Sequence, residues 1–349
     1  ELYEPLVVLP PVEFNFVNDN NFSINDSVAK SQVYFKSNLK DSSVYNVLFK
    51  YPNGWFAERS SFSYGTWANN NNYASAYFRP KEKGLNRKET ISLTVSQRNK
   101  AIFAGKKNII SYNHIPYITY FKEASSNLIQ IDLKTYNKKI GYIVGAGDKV
   151  PESLEQMGYE VTLLTEKEMA KNGLDKFDAI ITGVRTYNTN DWMSKYYNKL
   201  MKYVEDGGNV IVQYNTSSRV GPVNQKIGPY DFEISRTRVT DENAAVKFLR
   251  PEHPVLNFPN KITSNDFNGW IQERSIYHAS NWDKEKFEPI FSMNDAGEKP
   301  DEGSLIIAKH GKGYFSYTGI VFFRELPAGV PGAYRLLANL IALNKKKGF

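Results

Sequence analysis

The hydrophobic period changes near residue 136, and this change constrains the fold more than any other feature of the sequence. Before it, short segments such as KSQVYFKSNL and ETISLTVSQ alternate apolar and polar side chains. Alternation with a period of two indicates half-buried strands, and turn sequences such as YPNGW separate them. We therefore predict an antiparallel β-sandwich of the immunoglobulin or fibronectin type in residues 1–136. Trp55, next to one of these turns, is predicted as a core or rim anchor, with stacking on a carbohydrate as the alternative.

Residues 137–349 show a different rhythm, in which apolar runs without alternation are separated by helical segments. KIGYIVGAG, YEVTLL, FDAIITGV and NVIVQYN have the character of buried strands, and DWMSKYYNKLMKYVEDGG that of an amphipathic helix. Alternating strands and helices predict a mostly parallel sheet with helices on both faces. The rhythm breaks at about 217–303, where we predict a long polar insertion containing one short helix, TDENAAVKFL.

Composition excludes several classes of protein. The chain has 349 residues, which suggests two domains, and no apolar run approaches the roughly 20 residues that span a bilayer. The net charge is +7, but the lysines are scattered, so we predict a solvated basic surface and no nucleic-acid partner. Since there is no cysteine, disulfides, cysteine nucleophiles and thiolate metal sites are excluded.

The usual catalytic motifs are incomplete. In IVGAGDKV, Val150 stands where a dinucleotide-binding loop has its third glycine, and Asp148 would repel a pyrophosphate, so we predict a tight turn. The four histidines lack metal-ligand spacing, although a zinc site with Asp266 or Asp283 is an alternative. No G-x-S-x-G elbow is present. We therefore predict no catalytic residue, no metal and no cofactor.

Polar residues at the predicted strand ends and in the insertion are the candidates for ligand contacts, because ligands bind at the carboxyl ends of parallel strands. At the strand ends they are Arg185, Tyr187, Asn188, Gln213, Tyr214, Asn215, Arg324 and Glu325. In the insertion they are Arg236, Arg238, Asp241, Glu242, Asp266, Trp270, Gln272, Glu273 and Arg274. Two interpretations are open: ion pairs that brace long loops, or a polar ligand pocket. We expect Arg324 to pair with a carboxylate such as Glu273 or Asp241, and the Arg324–Glu325 pair to form the rim of a cleft.

Several long segments carry a family resemblance and occur in the expected order: GYIVGAGDKVPESLEQMGYEVTLL, FDAIITGVRTYNTN, YVEDGGNVIVQYNT, GPYDFEISRTRVTDENAAV, HPVLNFPNKIT, DFNGWIQERSIY and YTGIVFFRELPAGVPGAYRLLANL. Together they resemble the C-terminal region of large PIG-L (LmbE-like) sugar deacetylases of Bacteroidetes-type bacteria. The resemblance covers essentially the whole chain. It implies a role in carbohydrate or envelope glycan processing, and a periplasmic, outer-membrane-associated or secreted location.

The resemblance also implies that the zinc-dependent N-deacetylase chemistry belongs to another domain. That domain carries a His-Pro-Asp-Asp run, whereas this chain has His253-Pro254 followed by Val255-Leu256. The second half further resembles flavodoxin-like class I glutamine amidotransferase domains of the ThuA-like branch. Their cysteine nucleophile is absent, and Gly319-Ile320 stands where the ThuA-like pattern has Gly-His. The resemblance thus implies a degenerate domain whose catalytic pair is lost.

Three functions follow as hypotheses. The first is a non-catalytic accessory module that binds carbohydrate or scaffolds a zinc-dependent deacetylase domain, in cis or in trans. The second is a hydrolase of sugar derivatives that uses Glu273 or Asp266 as acid or base. Two water-accessible carboxyls would favour this hypothesis, whereas pairing of those carboxyls with arginine would argue against it. The third is a protein–protein scaffold, which a large exposed aromatic patch would favour.

Overall fold

A computed structural model describes residues 6–39, 43–65, 72–171, 173–217 and 226–345 of the chain. The chain divides into two compact units, Glu1–Asp132 and Leu133–Phe349, whereas the sequence prediction puts the boundary after residue 136. The protein is rich in β-structure, with antiparallel sheets in the first unit and a mixed sheet in the second. No helix in the described part of the chain is long and apolar enough to cross a bilayer.

The described residues of the first unit form strands and no helix. The strands are β1 (Val12–Phe16), β2 (Asn20–Ile24), β3 (Ala29–Ser37), β4 (Val44–Lys50), β5 (Trp55–Glu58), β6 (Ser61–Gly65), β7 (Asn72–Pro80), β8 (Arg87–Gln97), β9 (Lys100–Ile102), β10 (Gly105–Ile110), β11 (Ile118–Glu123) and β12 (Ser125–Ile131). One sheet has the order β1-β3-β7-β5, and a second has the order β2-β12-β8-β4-β6 with β9 beside β8. All of these pairings are antiparallel except that of β12 with β2.

The alternating pattern of the sequence places one face of each strand in an aromatic core. In β3, every second residue is buried, and Phe35 packs edge-on against Phe14 at a centroid distance of 5.3 Å. Trp55 is 1% exposed, and its indole N–H donates to Glu89 Oε2 at 2.7 Å. Trp55 is therefore a core anchor, and its burial excludes the alternative of stacking on a carbohydrate.

The hairpin of β10 and β11 is a separate two-stranded sheet in this unit. Apolar and aromatic side chains remain exposed on it and on its connecting loop. They are Ile109, Ile110, Tyr112, Tyr117, Ile118 and Tyr120. The first unit thus presents an exposed aromatic surface that its own core does not cover.

The second unit contains the remaining strands and helices of the described chain. The strands are β13 (Lys139–Ile143), β14 (Glu160–Leu164), β15 (Ala179–Thr182), β16 (Asn209–Gln213), β17 (Glu233–Ile234), β18 (Lys247–Phe248), β19 (Ala279–Ser280), β20 (Phe287–Pro289), β21 (Phe291–Ser292), β22 (Leu305–His310) and β23 (Gly313–Thr318). The α-helices are α1 (Val150–Gln156), α2 (Glu166–Lys171), α3 (Thr186–Thr189), α4 (Tyr197–Glu205), α5 (Pro254–Asn257), α6 (Phe322–Glu325) and α7 (Pro331–Ile341). Short 3₁₀ helices cover Asp191–Tyr196, Ser264–Phe267 and Leu343–Lys345.

A seven-stranded mixed sheet forms the centre of this unit, in the order β14-β13-β15-β16-β23-β22-β20. The first five strands are parallel. Strand β22 pairs antiparallel with β23, and β20 pairs antiparallel with β22, so these two strands complete the sheet beyond β23. Strands β15 and β16 are buried along their whole length, as expected for parallel strands that are covered on both faces. The carboxyl ends of the parallel strands therefore meet at one edge of the sheet.

The insertion between β16 and β22 folds differently from the prediction. The segment TDENAAVKFL forms turns and the short strand β18 rather than a helix. The N–H and hydroxyl of Thr240 donate to Asp295 Oδ2, at 2.9 and 2.6 Å, so a carboxylate from elsewhere in the insertion binds the first residue of the predicted helix. Tertiary hydrogen bonds thus replace the local helical ones.

Candidate ligand-binding cleft

The loops that follow β15 and β16 are tied together by hydrogen bonds. The N–H of Arg185 donates to the carbonyl of Tyr214 at 2.8 Å. The side chain of Asn188 bonds both the carbonyl and the N–H of Thr216, at 3.0 and 2.8 Å, and Asn215 Oδ1 accepts from the N–H of Tyr187 at 2.8 Å. The backbone at this edge of the sheet is therefore fixed by its own side chains.

A buried polar network lies beneath these loops. Gln213 Nε2 donates to the hydroxyl of Tyr142 at 3.0 Å, and that hydroxyl donates to Asp148 Oδ1 at 2.6 Å. Asp148 also accepts from the N–H groups of Val150 and Val184. The loop carboxylate that would repel a pyrophosphate thus holds the strand-to-helix turn together, in agreement with the predicted tight turn.

Five of the eight predicted strand-end residues are not on the surface: Tyr187, Asn188, Gln213 and Asn215 are at most 7% exposed, and Glu325 is fully buried. Asn188, Gln213 and Asn215 bond neighbouring segments through their side chains, and the ring of Tyr187 packs in the hydrophobic core. The prediction that Tyr187, Asn188, Gln213 and Asn215 line a cleft is corrected: they support its floor.

Three aromatic rings form the surface at this edge. Tyr214 stacks on Tyr277, with ring centroids 5.6 Å apart and an interplanar angle of 9°, and lies 5.3 Å from Phe323. All three residues are half-buried. We call Tyr214, Tyr277 and Phe323 the aromatic platform. Tyr277 comes from the insertion and Phe323 from α6, so the platform joins parts of the chain that lie far apart in sequence.

Charged groups surround the platform. Arg324 forms an ion pair with Glu273 at 2.7 Å, which is one of the pairings expected from the sequence, and its guanidinium lies 5.1 Å from the ring centroid of Phe323. The pKa of Tyr214 is raised, because burial together with Tyr277 and Glu273 outweighs the opposite effect of Arg185 and Arg324. Arg185 and Arg324 are therefore both within electrostatic range of the platform.

Arg238 adds a further cation on this side. Burial raises the pKa of Glu273, and Arg324 and Arg238 act against that shift. Arg238 and Arg236 are both exposed, and residues two apart in an extended segment share one face. The two insertion arginines thus lie on the solvent side of the segment that pairs with Ser275 through Val239.

Three residues of the cleft have a left-handed backbone that is unusual for residues other than glycine. The φ values are 59° for Arg185, 66° for Gln272 and 50° for Tyr277. Such conformations cost about 1–3 kcal/mol each and persist where the surrounding structure enforces them, often at functional sites. Two of the three residues, Arg185 and Tyr277, carry side chains of the candidate cleft.

The remaining acidic and aromatic candidates are braces. Asp266 pairs with Arg335 at 2.8 Å, with both side chains less than 10% exposed, and the indole of Trp270 donates to the carbonyl of Asp266 at 2.9 Å. Arg274 is 5% exposed and donates to the carbonyls of Ala244 and Phe267. Asp266, Trp270 and Arg274 are therefore corrected from cleft residues to buried supports of the insertion.

Glu325 also differs from the prediction. It is fully buried, and both carboxylate oxygens accept from the N–H of Ile271 at 3.2 Å. In the sequence it is adjacent to Arg324, but in α6 the two side chains diverge: Arg324 is half-buried at the platform and Glu325 points into the protein. Only the arginine of this pair belongs to the rim.

The last three candidates hold the insertion at the margin of the cleft. Glu242 Oε2 accepts from the N–H of Gln272 at 2.7 Å. Asp241 Oδ1 accepts from the N–H of Asn243 at 2.8 Å. Both carboxylates bond the backbone of turns, which favours the bracing interpretation for this part of the predicted set.

A serine, a histidine and an aspartate line up in a way that no sequence motif predicts. Asp301 Oδ1 lies 2.5 Å from His278 Nδ1, and His278 Nε2 lies 2.6 Å from Ser275 Oγ. Ser275 and His278 are completely buried, so the hydroxyl has no access to a substrate. The array thus has the connectivity of a hydrolase triad but the burial of a structural bridge between two parts of the insertion. Ser275 and His278 are only three residues apart in the chain, and this spacing matches no sequence motif of a hydrolase.

No group of three or more His, Asp or Glu side chains in the described ranges is placed to hold a metal ion. His253 caps α5, with its Nδ1 accepting from the N–H of Val255 at 3.1 Å, and burial lowers its pKa to about 4. His278 contacts Asp301 rather than Asp266 or Asp283. The alternative zinc site with those two aspartates is therefore not assembled around His253 or His278.

No known family and no curated protein matches the chain. Several solved structures have a limited likeness to it. The FixG-related protein from Vibrio parahaemolyticus aligns over 35% of this chain and 98% of its own, with 11% identity and a TM-score of 0.24. A glycosyl hydrolase family 2 member from Bacteroides cellulosilyticus aligns over 59% of this chain and 32% of its own, with 9% identity and a TM-score of 0.23. A conjugative transposon lipoprotein from Bacteroides eggerthii aligns over 32% and 95%, with 7% identity and a TM-score of 0.18. At TM-scores this low, the likenesses assign neither fold nor function.

Proposed function

We propose that the chain is a non-catalytic, carbohydrate-binding accessory module of a PIG-L-type N-acetyl sugar deacetylase, and that it works outside the cytoplasm. The observation that carries the binding role is the aromatic platform at the strand ends, flanked by Arg185 and by the Arg324–Glu273 pair. Aromatic faces pack against the apolar faces of sugar rings, and polar groups around them bind hydroxyls. The link to the deacetylase family and the location rest on the sequence motifs.

We also infer that the second unit is a degenerate flavodoxin-like domain of the amidotransferase type. Numbered by their order along the chain, its five parallel strands have the spatial order 2-1-3-4-5, which is the flavodoxin-like order. In such domains ligands bind outside the carboxyl ends of the strands. The platform occupies this position, which supports its role as the binding surface.

A non-catalytic role is supported by the ion pairs and hydrogen bonds of the carboxylates. Glu273 is paired with Arg324, and Asp266 with Arg335, so neither has the freedom that an acid or base requires. Glu325 is buried and accepts from the backbone N–H of Ile271. These contacts argue against the alternative of a sugar hydrolase that uses carboxylates in the cleft.

Calorimetric titration of the full chain with neutral, amino, N-acetylated and acidic oligosaccharides tests the proposal. We expect saturable binding to at least one of them, and a loss of about tenfold or more in affinity for Tyr214→Ala, because stacking on the platform is removed. Tyr136→Ala is the matched control, since Tyr136 is an exposed tyrosine that packs on Phe258, a ring outside the platform. Folded protein that binds none of these oligosaccharides would show the proposal to be wrong.

A second candidate function, scaffolding of the catalytic domain, is favoured by the exposed surface of the β10–β11 hairpin. Ile109, Tyr112 and Ile118 are 53%, 61% and 48% exposed. Apolar residues grouped in this way are common at protein–protein contacts. Co-sedimentation with a PIG-L catalytic domain, reduced by Ile118→Ser but not by Tyr214→Ala, would favour this function. Equal co-sedimentation of both variants and the unmodified chain would exclude the hairpin as the contact.

A further inference from the structure

Three arginines lie around the aromatic platform. Arg185 and Arg324 both act on Tyr214, and Arg324 and Arg238 act on Glu273. Arg324 is paired with Glu273 at 2.7 Å, and Arg238 also acts on the carboxylate of Asp295. Two of the three arginines thus have a carboxylate near them.

Arg185 differs from the other two arginines. Glu273 neutralises Arg324, whereas Arg185 forms no ion pair with any described residue. Its Nε–H is buried and has no acceptor in the described part of the chain. Buried donors are almost always paired, so an unpaired guanidinium nitrogen beside an aromatic platform indicates a missing acceptor. The backbone of Arg185 is moreover held in a left-handed conformation at the strand end.

We propose that the ligand of the cleft is an acidic sugar: a pyranose whose ring packs on the aromatic platform and whose oxyanion substituent is held by Arg185. This inference rests on the proposed function and specifies its ligand. The planar guanidinium binds a carboxylate or a phosphate through two parallel hydrogen bonds, which a neutral hydroxyl does not provide. A carboxylate and a phosphate ester share this chemistry, and the ligand series below distinguishes them.

Three matched glycosides provide the test: methyl β-D-glucoside, methyl β-D-glucuronide and methyl β-D-glucoside 6-phosphate. Their binding to the full chain is followed by NMR titration, which measures weak affinities. We expect at least one of the two acidic glycosides to bind about tenfold to a hundredfold more tightly than the neutral one. A preference for the glucuronide identifies a carboxylate ligand, and a preference for the phosphate identifies a phosphate ester. Salt should weaken binding of the acidic glycoside but not of the neutral one.

The variant Arg185→Gln removes the positive charge and keeps a polar side chain at this position. We expect it to bind the acidic glycoside about tenfold more weakly and to lose the preference for the acidic over the neutral glycoside. Arg250→Gln is the matched control, because Arg250 is an exposed arginine of the same unit that pairs with Glu288 at 3.2 Å. It should leave all three affinities unchanged.

The outcomes distinguish this inference from the proposed function. Equal binding of all three glycosides, or an acidic preference that survives Arg185→Gln, would overturn the inference while the carbohydrate-binding function stands. No binding of any glycoside or oligosaccharide would overturn the proposed function itself. An acidic preference that Arg185→Gln abolishes and Arg250→Gln retains supports both.

Discussion

Arg185 and Arg274 illustrate how differently the same residue type acts in this protein. Arg274 is buried and donates to two backbone carbonyls, so it contributes to stability by holding the insertion in place. Arg185 is half-buried, forms no ion pair with a described residue and has a backbone that disfavours any side chain. An arginine held in this way is better explained by binding than by stability. The same distinction separates Arg324 from its neighbour Glu325.

At position 185, the glycine variant should be more stable than the alanine variant. Both variants lose the guanidinium, but only glycine adopts φ near 59° without steric cost, so we expect Arg185→Gly to be more stable than Arg185→Ala by about 1 kcal/mol. Urea unfolding of the two variants measures the difference, and both should have lost the acidic glycoside preference. A less stable glycine variant would contradict the left-handed backbone at this position.

Asp301 should make the stability of the second unit depend on pH in the acidic range. Burial raises the pKa of Asp301, but its hydrogen bond to His278, the charge of His278 and the N–H of Gly303 together lower it below the ordinary value. Because the pKa is lower in the folded state, the contribution is present above about pH 4 and is lost as the pH falls further. We expect Asp301→Asn to cost about 1–2 kcal/mol at pH 7, since a charge-assisted hydrogen bond is lost at a partly exposed site.

Chemical unfolding between pH 2 and pH 7 checks this prediction. The difference between the unmodified chain and Asp301→Asn should shrink below about pH 4. Asp283→Asn serves as a control, because Asp283 is exposed and its carboxylate accepts from the N–H of Glu285 in its own turn. A difference that stays constant over the whole range would show that the carboxylate charge does not contribute.

At the scale of elements, the cleft depends on how α7 and the insertion fit together. Helix α7 begins at Pro331, a residue type common at the first position of helices, and Arg335 on this helix binds Asp266 of the insertion. The insertion segment that follows Asp266 carries Glu273 and Tyr277 to the platform. The packing of α7 therefore positions parts of the site that its own residues do not form.

Gly332 is the point of closest approach between these elements. A Cβ at this position would lie 1.7 Å from the carbonyl oxygen of Asp266. We expect Gly332→Ala to lower the free energy of unfolding by about 3 kcal/mol, because helix and insertion must separate. Ala333→Gly in the same helix turn is the control and should cost about 1–2 kcal/mol, through helix propensity and the loss of a buried methyl group. Equal effects of the two substitutions would refute the close contact.

At the scale of the molecule, the chain consists of two units with separate hydrophobic cores. The first core is built around Phe14, Phe35 and Trp55, and the second around residues such as Ile180, Val212 and Tyr317. The candidate cleft belongs entirely to the second unit. Substitutions in the core of the first unit should therefore affect stability without affecting the cleft.

Trp55→Ala tests this separation. Removing a buried tryptophan should destabilise the first unit by about 3–5 kcal/mol. We expect calorimetry to show a lower midpoint for one transition, while ligand affinity measured below that midpoint stays unchanged. Loss of ligand affinity at a temperature where the first unit is still folded would show that the two units are coupled.

Local signals in the sequence predicted the type and order of most elements. Alternation predicted the strands of the first unit, and apolar runs predicted the parallel strands of the second, because these signals need no knowledge of distant residues. Where a local signal failed, as in TDENAAVKFL, a distant carboxylate from Asp295 had replaced the helical hydrogen bonds. Lack of cysteine excluded thiol chemistry directly.

Which polar residues form the cleft depends on tertiary packing. Arg185, Tyr214 and Arg324 come together there with Tyr277 and Phe323, and the buried carboxylate of Glu273 holds Arg324 in place. Asp266, Trp270, Arg274 and Glu325 are buried as braces instead. The sequence cannot separate these groups, because burial and ion pairing depend on how distant segments pack, not on the residue type. The Ser275–His278–Asp301 array was hidden for the same reason: Asp301 reaches the other two only in the folded insertion.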